Sequence, residues 1–532
     1  MNKIFTLLLL MASTLVCNAQ ESRFLVRFMD KSDNEFDLNQ PEEFLTEASL
    51  ERRSRLGIIL DENDLPLSPK YRQKVKDEGY SIWGETKWLN GLVVLADRAQ
   101  ESALGQLAGV TEVAYLGPHI IKNSAPEIPV SNAGSPTTEL MTSLQNSFLN
   151  LDSLYELGWN AEGVRVAIFD AGFLNVPFGE SWVAVHEDRI FGARNYIEPG
   201  LDVYRYHLHG THVYSTMGYY KEGEFEGIAP EADYMFCVTE DVANEYPFEE
   251  INWLMAAEYA DSLGADIIQS SLGYYDFDDP SLDYTQADLD GKTAWITQAA
   301  GIAAERGILV VNSAGNEARN YWQKISFPAD HEHVLAVGAM DEKWTRSSFS
   351  SFGPNANGLI KPNVSTLGSS VALAVGEGKY VRSSGTSYAS PMIAALAAMV
   401  IQEYPDKKPE EVITYLQENA HQAYAPDTLI GYGVPMNNQR PLYVLEPNGE
   451  NLQVSPNPMA PNLLRLLVGE APLMDCQLQI VGVDGKPHFA QKEDLNALST
   501  KEVQLPAPLN SGVYFLRWAT NKEQGVKKIV VQ

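Results

Sequence analysis

The pattern of apolar and polar residues changes several times along the chain, and each change predicts a different kind of block. After the first twenty residues, six strand-like and helix-like segments follow the order β-α-β-β-α-β, at residues 24–28, 41–56, 81–88, 91–95, 99–107 and 111–115. This order is typical of a split β-α-β sandwich. Residues 20–122 are therefore predicted to form a small α+β domain.

The longest block, residues 140–445, alternates strand-like apolar runs with helix-like segments. Such alternation predicts an α/β domain with a mostly parallel sheet and helices on both faces. Residues 123–139, which precede it, are rich in Pro, Gly, Ser and Asn and predict an exposed linker. Residues 446–532, which follow it, have short alternating runs between turn residues and predict a small antiparallel β sandwich.

The first residues indicate a targeting segment. Lys3 precedes an apolar run at residues 4–16, and Cys17-Asn18-Ala19 ends that run with small residues. We predict that residues 1–19 are a secretory signal peptide cleaved after Ala19. A run of about 13 residues is too short for a membrane anchor, which needs about 20. A lipoprotein signal through Cys17 is the other alternative.

Charge and cysteine content exclude two further classes. The chain has 70 acidic and 39 basic residues, giving a net charge of −31, so a general nucleic-acid-binding surface is excluded. The charge is uneven, because residues 501–532 carry +3 and the remainder carries −34. Only Cys237 and Cys476 remain after the signal, so a disulfide framework is excluded.

Two motifs of the α/β block contain acid–base groups. Asp170 follows an apolar run and precedes Gly172, at what would be the carboxyl end of a parallel strand, where ligand sites form. A helix cap is the alternative role for this carboxylate. His209 lies in the motif His207-Leu208-His209-Gly210-Thr211-His212. An imidazole acts as base and acid near neutral pH.

A third motif contains a candidate nucleophile. Ser387 lies in Gly385-Thr386-Ser387-Tyr388-Ala389-Ser390-Pro391, at the start of a small-residue helix. Alone it is either a helix cap or a nucleophile. Together with Asp170 and His209 it favours acyl transfer, in which the base takes the serine proton and the acid orients and stabilises the imidazolium.

At this point the chain resembles the subtilisin-like serine peptidases, the subtilase family. The resemblance is carried by the Asp-x-Gly, His-Gly-Thr-His and Gly-Thr-Ser-x-Ala-Ser-Pro motifs in that order, over about residues 160–440. It implies a subtilisin-like peptidase domain at residues 140–445 and cleavage of protein or peptide substrates. It also implies that Asp170, His209 and Ser387 are catalytic.

The resemblance assigns further roles. Asn316 would donate its side-chain amide to the oxyanion, with a turn residue as the alternative. Ser271, Leu272 and Gly273 would pair with the substrate backbone as an added strand. Together with Ser313, Ala314 and Gly315 they would flank the pocket for the residue before the cut. Strand-end packing is the alternative for both segments.

Three positions depart from the family motifs without removing a reacting group. Ala171 stands where Ser or Thr is usual, Tyr214-Ser215 where Ala-Gly is usual, and Tyr388 where Met or Phe is common. These departures bear on the shape of the pocket.

The flanking blocks also resemble parts of known precursors. Residues 20–122 resemble the inhibitory propeptide of subtilases, which implies self-cleavage between Gly117 and Leu140; a stable binding domain is the alternative. Residues 446–532, ending in Lys527-Lys528-Ile529-Val530-Val531, resemble the C-terminal sorting domain of Bacteroidetes proteins exported by the type IX secretion system. That implies a secreted or cell-surface protein whose partners include outer-membrane secretion machinery. A carbohydrate-binding or packing sandwich is the alternative.

The chemistry implied requires no cofactor and no metal ligand. A structural calcium ion is considered because Glu222, Glu224 and Glu226 offer hard carboxylate ligands, although a solvated acidic turn is the preferred interpretation.

Rival functions remain open. The first is a metal hydrolase that uses His207, His209 and His212, because imidazole is a common zinc ligand. The second is a non-catalytic binding protein on the same fold. An α/β-hydrolase esterase is disfavoured, because Ala389 stands where that fold has Gly and the order of the triad differs.

Overall fold

The computed structural model describes residues 21–120, 140–205, 207–423 and 425–435. In the C-terminal block it describes residues 452–454, 459–468, 472–482, 486–497, 499–520 and 524–531. The predicted signal peptide, residues 1–19, and the predicted linker, residues 123–139, lie outside the described residues.

Internal contacts divide the chain into two units. The first unit contains Met1–Phe44, Leu60–Ala125 and the three residues Tyr246–Phe248. The second unit contains Leu45–Ile59, Pro126–Glu245 and Glu249–Gln532. Residues 45–59 thus belong to a different unit from the segments on either side of them in the sequence.

The elements of residues 21–120 are, in chain order, β1 (Glu21–Phe28), α1 (Glu47–Leu56), α2 (Pro69–Asp77), β2 (Ser81–Thr86), β3 (Gly91–Asp97), α3 (Glu101–Leu104) and β4 (Val110–Pro118). The strands of the first unit form an antiparallel sheet in the order β2-β3-β1-β4. Its core includes Phe24 and Val26 from β1 and Tyr71 and Val75 from α2. The predicted α+β character of this block is confirmed.

The helices of this block differ from the sequence expectation. The helix expected at residues 41–56 begins only at Glu47, because Thr46 caps it by accepting a hydrogen bond from the Ser49 N–H, and it belongs to the second unit. The core of the first unit contains residues of α3 and of α2, and the sequence analysis missed α2. Ser68 followed by Pro69 at the first helical position is the start signal that marks it.

The elements of residues 140–435 are, in chain order, α4 (Ser143–Phe148), α5 (Leu151–Tyr155), β5 (Arg165–Asp170), α6 (Val183–His186), β6 (Ile190–Asn195), α7 (His209–Gly218), β7 (Tyr220–Lys221), β8 (Phe225–Glu226), β9 (Asp233–Val238), α8 (Phe248–Ser262), β10 (Ile267–Ser270), α9 (Trp295–Glu305), β11 (Leu309–Ser313), β12 (Val334–Met340), β13 (Val364–Leu367), β14 (Val371–Gly376), β15 (Lys379–Ser383), α10 (Thr386–Glu403) and α11 (Pro409–Glu418).

A seven-stranded sheet in the order β13-β12-β11-β10-β5-β9-β6 organises this region. All of its neighbouring strands pair in parallel. Every residue of β10, β11, β12 and β13 is buried, as expected when helices cover both faces of a parallel sheet. The predicted parallel α/β fold is therefore confirmed.

The C-terminal elements are β16 (Leu452–Val454), β17 (Leu463–Val468), β18 (Leu473–Gly482), β19 (Pro487–Leu495), β20 (Thr500–Gln504), β21 (Gly512–Ala519) and β22 (Gln524–Val531). They form two antiparallel sheets, β16-β17-β20 and β19-β18-β21-β22. Both sheets contribute to one apolar core that includes Leu466, Ile480 and Trp518. This arrangement is the predicted β sandwich.

Two further features concern the described residues alone. None of the helices found there combines the length and the apolar character that a membrane span requires. Cys237 and Cys476 are both buried.

Candidate active site

The carboxyl ends of three neighbouring strands lie at one edge of the seven-stranded sheet. β5 ends at Asp170, β10 at Ser270 and β11 at Ser313, and the three strands are adjacent and parallel. Ligands of open α/β sheets bind at this edge. The residues predicted to be functional follow these strand ends or begin helices α7 and α10.

Asp170 and His209 are joined by a hydrogen bond of 2.8 Å between Asp170 Oδ1 and His209 Nδ1. The aspartate side chain is 2% exposed and the histidine side chain 27% exposed, so the imidazole remains accessible. Gly210 permits this close packing, because a Cβ there would lie 2.9 Å from Phe173 Cε1 and 3.0 Å from Asp170 Cβ. Lack of space for a side chain therefore explains why this position of the His-Gly-Thr-His motif is a glycine.

The protonation of His209 is controlled by its neighbours. Burial disfavours the charged imidazole, but the Asp170 carboxylate, through its charge and its hydrogen bond, outweighs burial with help from Glu240. The pKa of His209 is therefore raised above its ordinary value. An imidazole in this state is a stronger base than a free histidine, which suits it to accept a proton from a hydroxyl.

Ser387 is the second residue of α10 and is bonded in both directions to Ser271. Ser387 Oγ donates to the Ser271 carbonyl at 3.3 Å, and Ser271 Oγ donates to the Ser387 carbonyl at 2.8 Å. The second bond has its origin in Pro391, which has no N–H to offer the carbonyl four residues earlier. Gln269 also donates to Ser271 Oγ at 2.7 Å. The Ser-x-x-x-Pro spacing thus links the candidate nucleophile to the end of β10.

Asn316 is held beside Ser387 by the neighbouring residue, Thr386. Asn316 Oδ1 accepts the Thr386 N–H at 3.0 Å and the Thr386 hydroxyl at 3.1 Å. Because a backbone N–H can only donate, it fixes which end of the amide is the oxygen. The amide nitrogen of this exposed side chain therefore points away from Thr386 and can donate to another group.

The two predicted substrate-binding segments, 271–273 and 313–315, converge on Ser326. Asn312 links them by donating to the Leu272 carbonyl at 3.0 Å. A Cβ on Gly273 would lie 2.8 Å from Ser326 Cβ, and one on Gly315, whose φ is +102°, would lie 3.1 Å from Ser326 Oγ. Ser326 is 3% exposed and was missed by the sequence analysis. No sequence pattern marks it, because a returning loop sets its position.

The three histidines of the second motif have separate environments. His207 Nδ1 accepts the His209 N–H at 3.2 Å, and the two rings are 6.4 Å apart. Burial, together with the neighbouring His209, lowers the pKa of His212 to about 4. Within the described ranges, no group of three or more His, Cys, Asp or Glu side chains is placed to hold a metal ion. The hydrogen bond of His207 is that of a structural residue, whereas the His212 ring packs against Tyr388 with centroids 6.2 Å apart.

The departures from the family motifs have local explanations. Tyr214 stacks on Trp182, with ring centroids 5.5 Å apart. Ser215 Oγ accepts the Ala374 N–H at 3.1 Å and so ties α7 to β14. The ring of Tyr388 lies 6.0 Å from the ring of His209 and therefore forms part of the site wall.

Glu240 is a second residue that the sequence analysis missed. It follows β9 and accepts a hydrogen bond of 2.5 Å from the Tyr274 hydroxyl and one of 3.1 Å from Thr239. Burial, with the nearby Asp170, raises its pKa to about 7. Like Asp170, Glu240 is an acidic residue at the carboxyl end of a strand of the seven-stranded sheet. Unlike Asp170, it is not part of a recognisable motif.

The acidic segment considered for calcium forms the hairpin β7-β8. Glu224 pairs with Lys221 at 3.2 Å, and Glu226 accepts the Gly223 N–H at 3.3 Å. The Glu224 and Glu226 carboxylates therefore each have a partner within the hairpin. A structural calcium ion stays a prediction.

A parallel α/β sheet with an Asp–His pair and a helix-start serine at one edge fits the class of α/β serine hydrolases. A protein-family model described as "Subtilase family" matches residues 161–433, and one described as "Peptidase S8 propeptide domain, Bacteroidota" matches residues 23–128. The chain belongs to the subtilase family and is a serine endopeptidase with an N-terminal propeptide domain.

Curated relatives agree with this placement. The "Thermostable alkaline protease" of Halalkalibacterium halodurans is 29% identical over 290 residues, covering 54% of this chain and 70% of the relative. "Subtilisin DY" of Bacillus licheniformis is 29% identical over 275 residues, covering 51% and 89%. "Subtilisin NAT" of Bacillus subtilis subsp. natto is 26% identical over 365 residues, covering 66% and 81%.

The protonation of His209 gives a direct test of the site. In a Ser387→Ala chain, Asp170→Asn is expected to lower the pKa of His209, because it removes the charge that outweighs burial. NMR titration of the histidine ring protons measures the change. His331, whose pKa is lowered to about 4 by burial and by neighbours other than Asp170, should not respond and serves as the internal control. A His209 pKa that does not respond to the substitution would contradict this assignment.

Proposed function

We propose that this protein is a secreted serine endopeptidase in which Asp170, His209 and Ser387 form the catalytic triad, made as a self-processing precursor. The observation that carries the proposal is the 2.8 Å bond between Asp170 and His209 at the sheet edge where Ser387 begins α10. The links from Ser387 to Ser271 and from Thr386 to Asn316 support it.

In the acylation step, the Ser387 hydroxyl turns from the Ser271 carbonyl toward His209 Nε2. His209 takes the proton as Ser387 Oγ attacks the peptide carbonyl, and Asp170 holds Nδ1–H and stabilises the imidazolium. His209 then protonates the leaving amine. Water enters, and the same groups hydrolyse the acyl-enzyme in the reverse order of proton transfers.

The negative oxygen of each tetrahedral intermediate needs fixed donors. Asn316 supplies its amide nitrogen, since its oxygen is occupied by Thr386. The N–H of Ser387 lies in the first turn of α10, where backbone donors have no helical partner. Both donors are positioned before the reaction, which is what makes such stabilisation effective.

Substitutions at these positions test the chemistry. Ser387→Ala is expected to lower kcat by about 10⁶-fold, and Asn316→Ala by about 10²–10³-fold with little change in KM. Thr386→Val keeps the backbone donor to Asn316 and removes only the hydroxyl, so it should cause a smaller loss. Peptide hydrolysis is measured alongside labelling of Ser387 with a fluorophosphonate. A well-folded chain that is neither labelled nor active would favour a non-catalytic binding protein, and activity abolished by chelators without labelling would favour a metal hydrolase.

Segments 271–273 and 313–315 support a pocket for the residue before the cut, with Ser326 between Gly273 and Gly315. A hydroxymethyl group at this place limits the depth of the pocket. Shape governs selection in an apolar pocket, where one methylene changes kcat/KM by about 10-fold or more.

Ser326→Gly is therefore expected to raise kcat/KM for Phe relative to Ala before the cut by about 10-fold. Paired peptide substrates that differ only at this residue measure the ratio. Ser348→Gly makes the same chemical change at an exposed position and should leave the ratio unchanged. An equal response of both variants would exclude Ser326 from the pocket.

The flanking blocks fit a precursor that is exported before it becomes active. We propose that the N-terminal domain inhibits the enzyme until self-cleavage between Gly117 and Leu140. The C-terminal β sandwich would address the chain to outer-membrane secretion machinery, so that the enzyme acts outside the cell or on its surface. The residue pattern of the last residues, which end in Lys527-Lys528-Ile529-Val530-Val531, supports this role.

Export is tested by fusing residues 447–532 to an inert periplasmic reporter in a cell with type IX secretion. We expect the reporter in the medium or on the surface, whereas a fusion lacking residues 525–532 should stay in the periplasm. Retention of both fusions would contradict the sorting role and leave the peptidase proposal untouched.

A further inference from the structure

Helix α1 is a segment of the N-terminal region that packs within the second unit. It begins against the end of α8: the Thr46 N–H donates to the Ser262 carbonyl at 3.0 Å, and the Thr46 hydroxyl donates to the same oxygen at 2.8 Å. The carbonyls at the end of a helix have no intrahelical donors. Thr46 thus starts one helix and satisfies the end of another.

Two arginines of α1 converge on one carboxylate. Arg52 Nη2 lies 2.6 Å from Asp261 Oδ1, and Arg53 Nη2 lies 2.8 Å from Asp261 Oδ2. The three side chains are 1%, 2% and 0% exposed. Arg52 Nη1 also donates to the Ala265 carbonyl at 2.5 Å. Cations are favourable at the C-terminal end of a helix, and buried pairs of this kind are only weakly screened by salt.

Two glycines allow α1 to lie close to this surface. Gly264 has φ +82°, and a Cβ there would lie 2.7 Å from the backbone carbonyl carbon of Ala48. Gly307 has φ +85°, and a Cβ there would lie 2.7 Å from Leu56 Cδ1. The positive φ explains each glycine as a helix-ending residue. The contact with α1 is a second constraint on the same positions.

The far end of α1 is held by polar and apolar contacts. Arg55 lies 2.9 Å from Asp266 and also donates to the Pro405 carbonyl. Arg55 and Leu56 line a small cavity together with Ile401 and Val412. Both ends and the middle of α1 therefore contact other parts of the second unit.

This surface lies at the opposite edge of the sheet from the active site. Asp266 precedes β10 and Gly307 precedes β11, at the amino ends of the strands whose carboxyl ends lead to Ser271 and Asn316. Helix α10 has Ser387 at its start, and Pro405 lies two residues beyond its end, so its 18 residues lie between the active site and this surface. Its length is about 27 Å at 1.5 Å per residue. A helix bound at Pro405 thus leaves the surroundings of Ser387 free.

We propose that α1 is an anchor that keeps the cleaved N-terminal region bound to the peptidase at a surface separate from the active site. The surface, here the anchor surface, is formed by Asp261, Ser262, Gly264, Ala265, Gly307 and Pro405. Its ligand is the segment Leu45–Ile59 of this chain. The inference rests on the proposed function in one respect. Cleavage between Gly117 and Leu140 would separate α1 from the peptidase chain, so that it remains only as a bound ligand.

The test uses the full chain carrying Ser387→Ala, with the recognition sequence of a site-specific protease inserted between Ile120 and Leu140. After cleavage in trans, size-exclusion chromatography at about 1 µM measures the fraction of the N-terminal fragment that elutes with the remainder. We expect the fragment to stay bound, also in about 1 M NaCl, since the ion pair is buried. The double variant Arg52→Ala/Arg53→Ala should weaken binding by about 100-fold or more.

Two controls are matched to the variants. Glu51→Ala changes an exposed residue of the same helix and should leave binding unchanged. Gly264→Ala and Gly158→Ala impose the same backbone strain, at φ +82° and +84°, but a Cβ at Gly158 would meet nothing within 4 Å. Only Gly264→Ala should release the fragment. The thermal unfolding of each uncut chain shows whether it is folded.

Retention of the fragment by the double variant as tightly as by the parent chain would overturn the anchor, and so would equal behaviour of the two glycine variants in folded chains. Because binding is measured with Ser387→Ala, the result does not depend on catalysis. An inactive native chain whose fragment is still held through α1 would contradict the proposed function and leave the anchor intact.

Discussion

The missing N–H of Pro391 is the constraint on which the arrangement of the site depends. It leaves the Ser387 carbonyl without its helical donor, and the Ser271 hydroxyl supplies one at 2.8 Å. A buried carbonyl without any partner would be costly, so the start of α10 and the end of β10 are coupled. The coupling is oriented in turn by Gln269, which donates to the same hydroxyl.

The same coupling explains why distant segments meet with precision. Ser271 begins one of the two segments proposed to bind substrate, so its bonds to Ser387 fix the distance between that segment and the candidate nucleophile. Thr386, one residue earlier, holds Asn316 through two donors. The first turn of α10 therefore holds the candidate nucleophile, the candidate oxyanion donor and one proposed substrate-binding segment in fixed positions. Rigid elements of this kind hold a catalytic geometry better than loops alone.

The sequence predicted the parts of this site that local chemistry requires. Asp170 was proposed because a buried strand ends in an acid, and His209 and Ser387 were proposed because short motifs surround them. Ser326 was missed because it lies on a loop whose course depends on the tertiary fold. Glu240 was missed because it follows the strand β9 without a motif that would distinguish it from other acidic residues.

In the fold as well, local sequence patterns predicted the elements but not their long-range partners. Apolar runs without alternation indicated a parallel sheet covered on both faces, and the structure contains such a sheet. The helix at residues 41–56 was predicted as an element, but its partner was not. Arg52 and Arg53 look like exposed helix residues in the sequence, but contacts with residues more than 200 positions away, Asp261 among them, bury them. Propensity identifies a helix, whereas long-range contacts decide which unit it joins.

Glu240 adds a final electrostatic step. Its carboxyl has a pKa of about 7 and lies near enough to His209 to raise the pKa of the imidazole when it is charged. As the pH rises, ionisation of Glu240 stabilises the protonated imidazole and delays its loss of a proton. Glu240 therefore adds a smaller contribution to that of Asp170, which has the larger effect on the pKa of His209. A buried carboxyl outside the proposed triad thus helps to determine the pH at which His209 becomes available as a base.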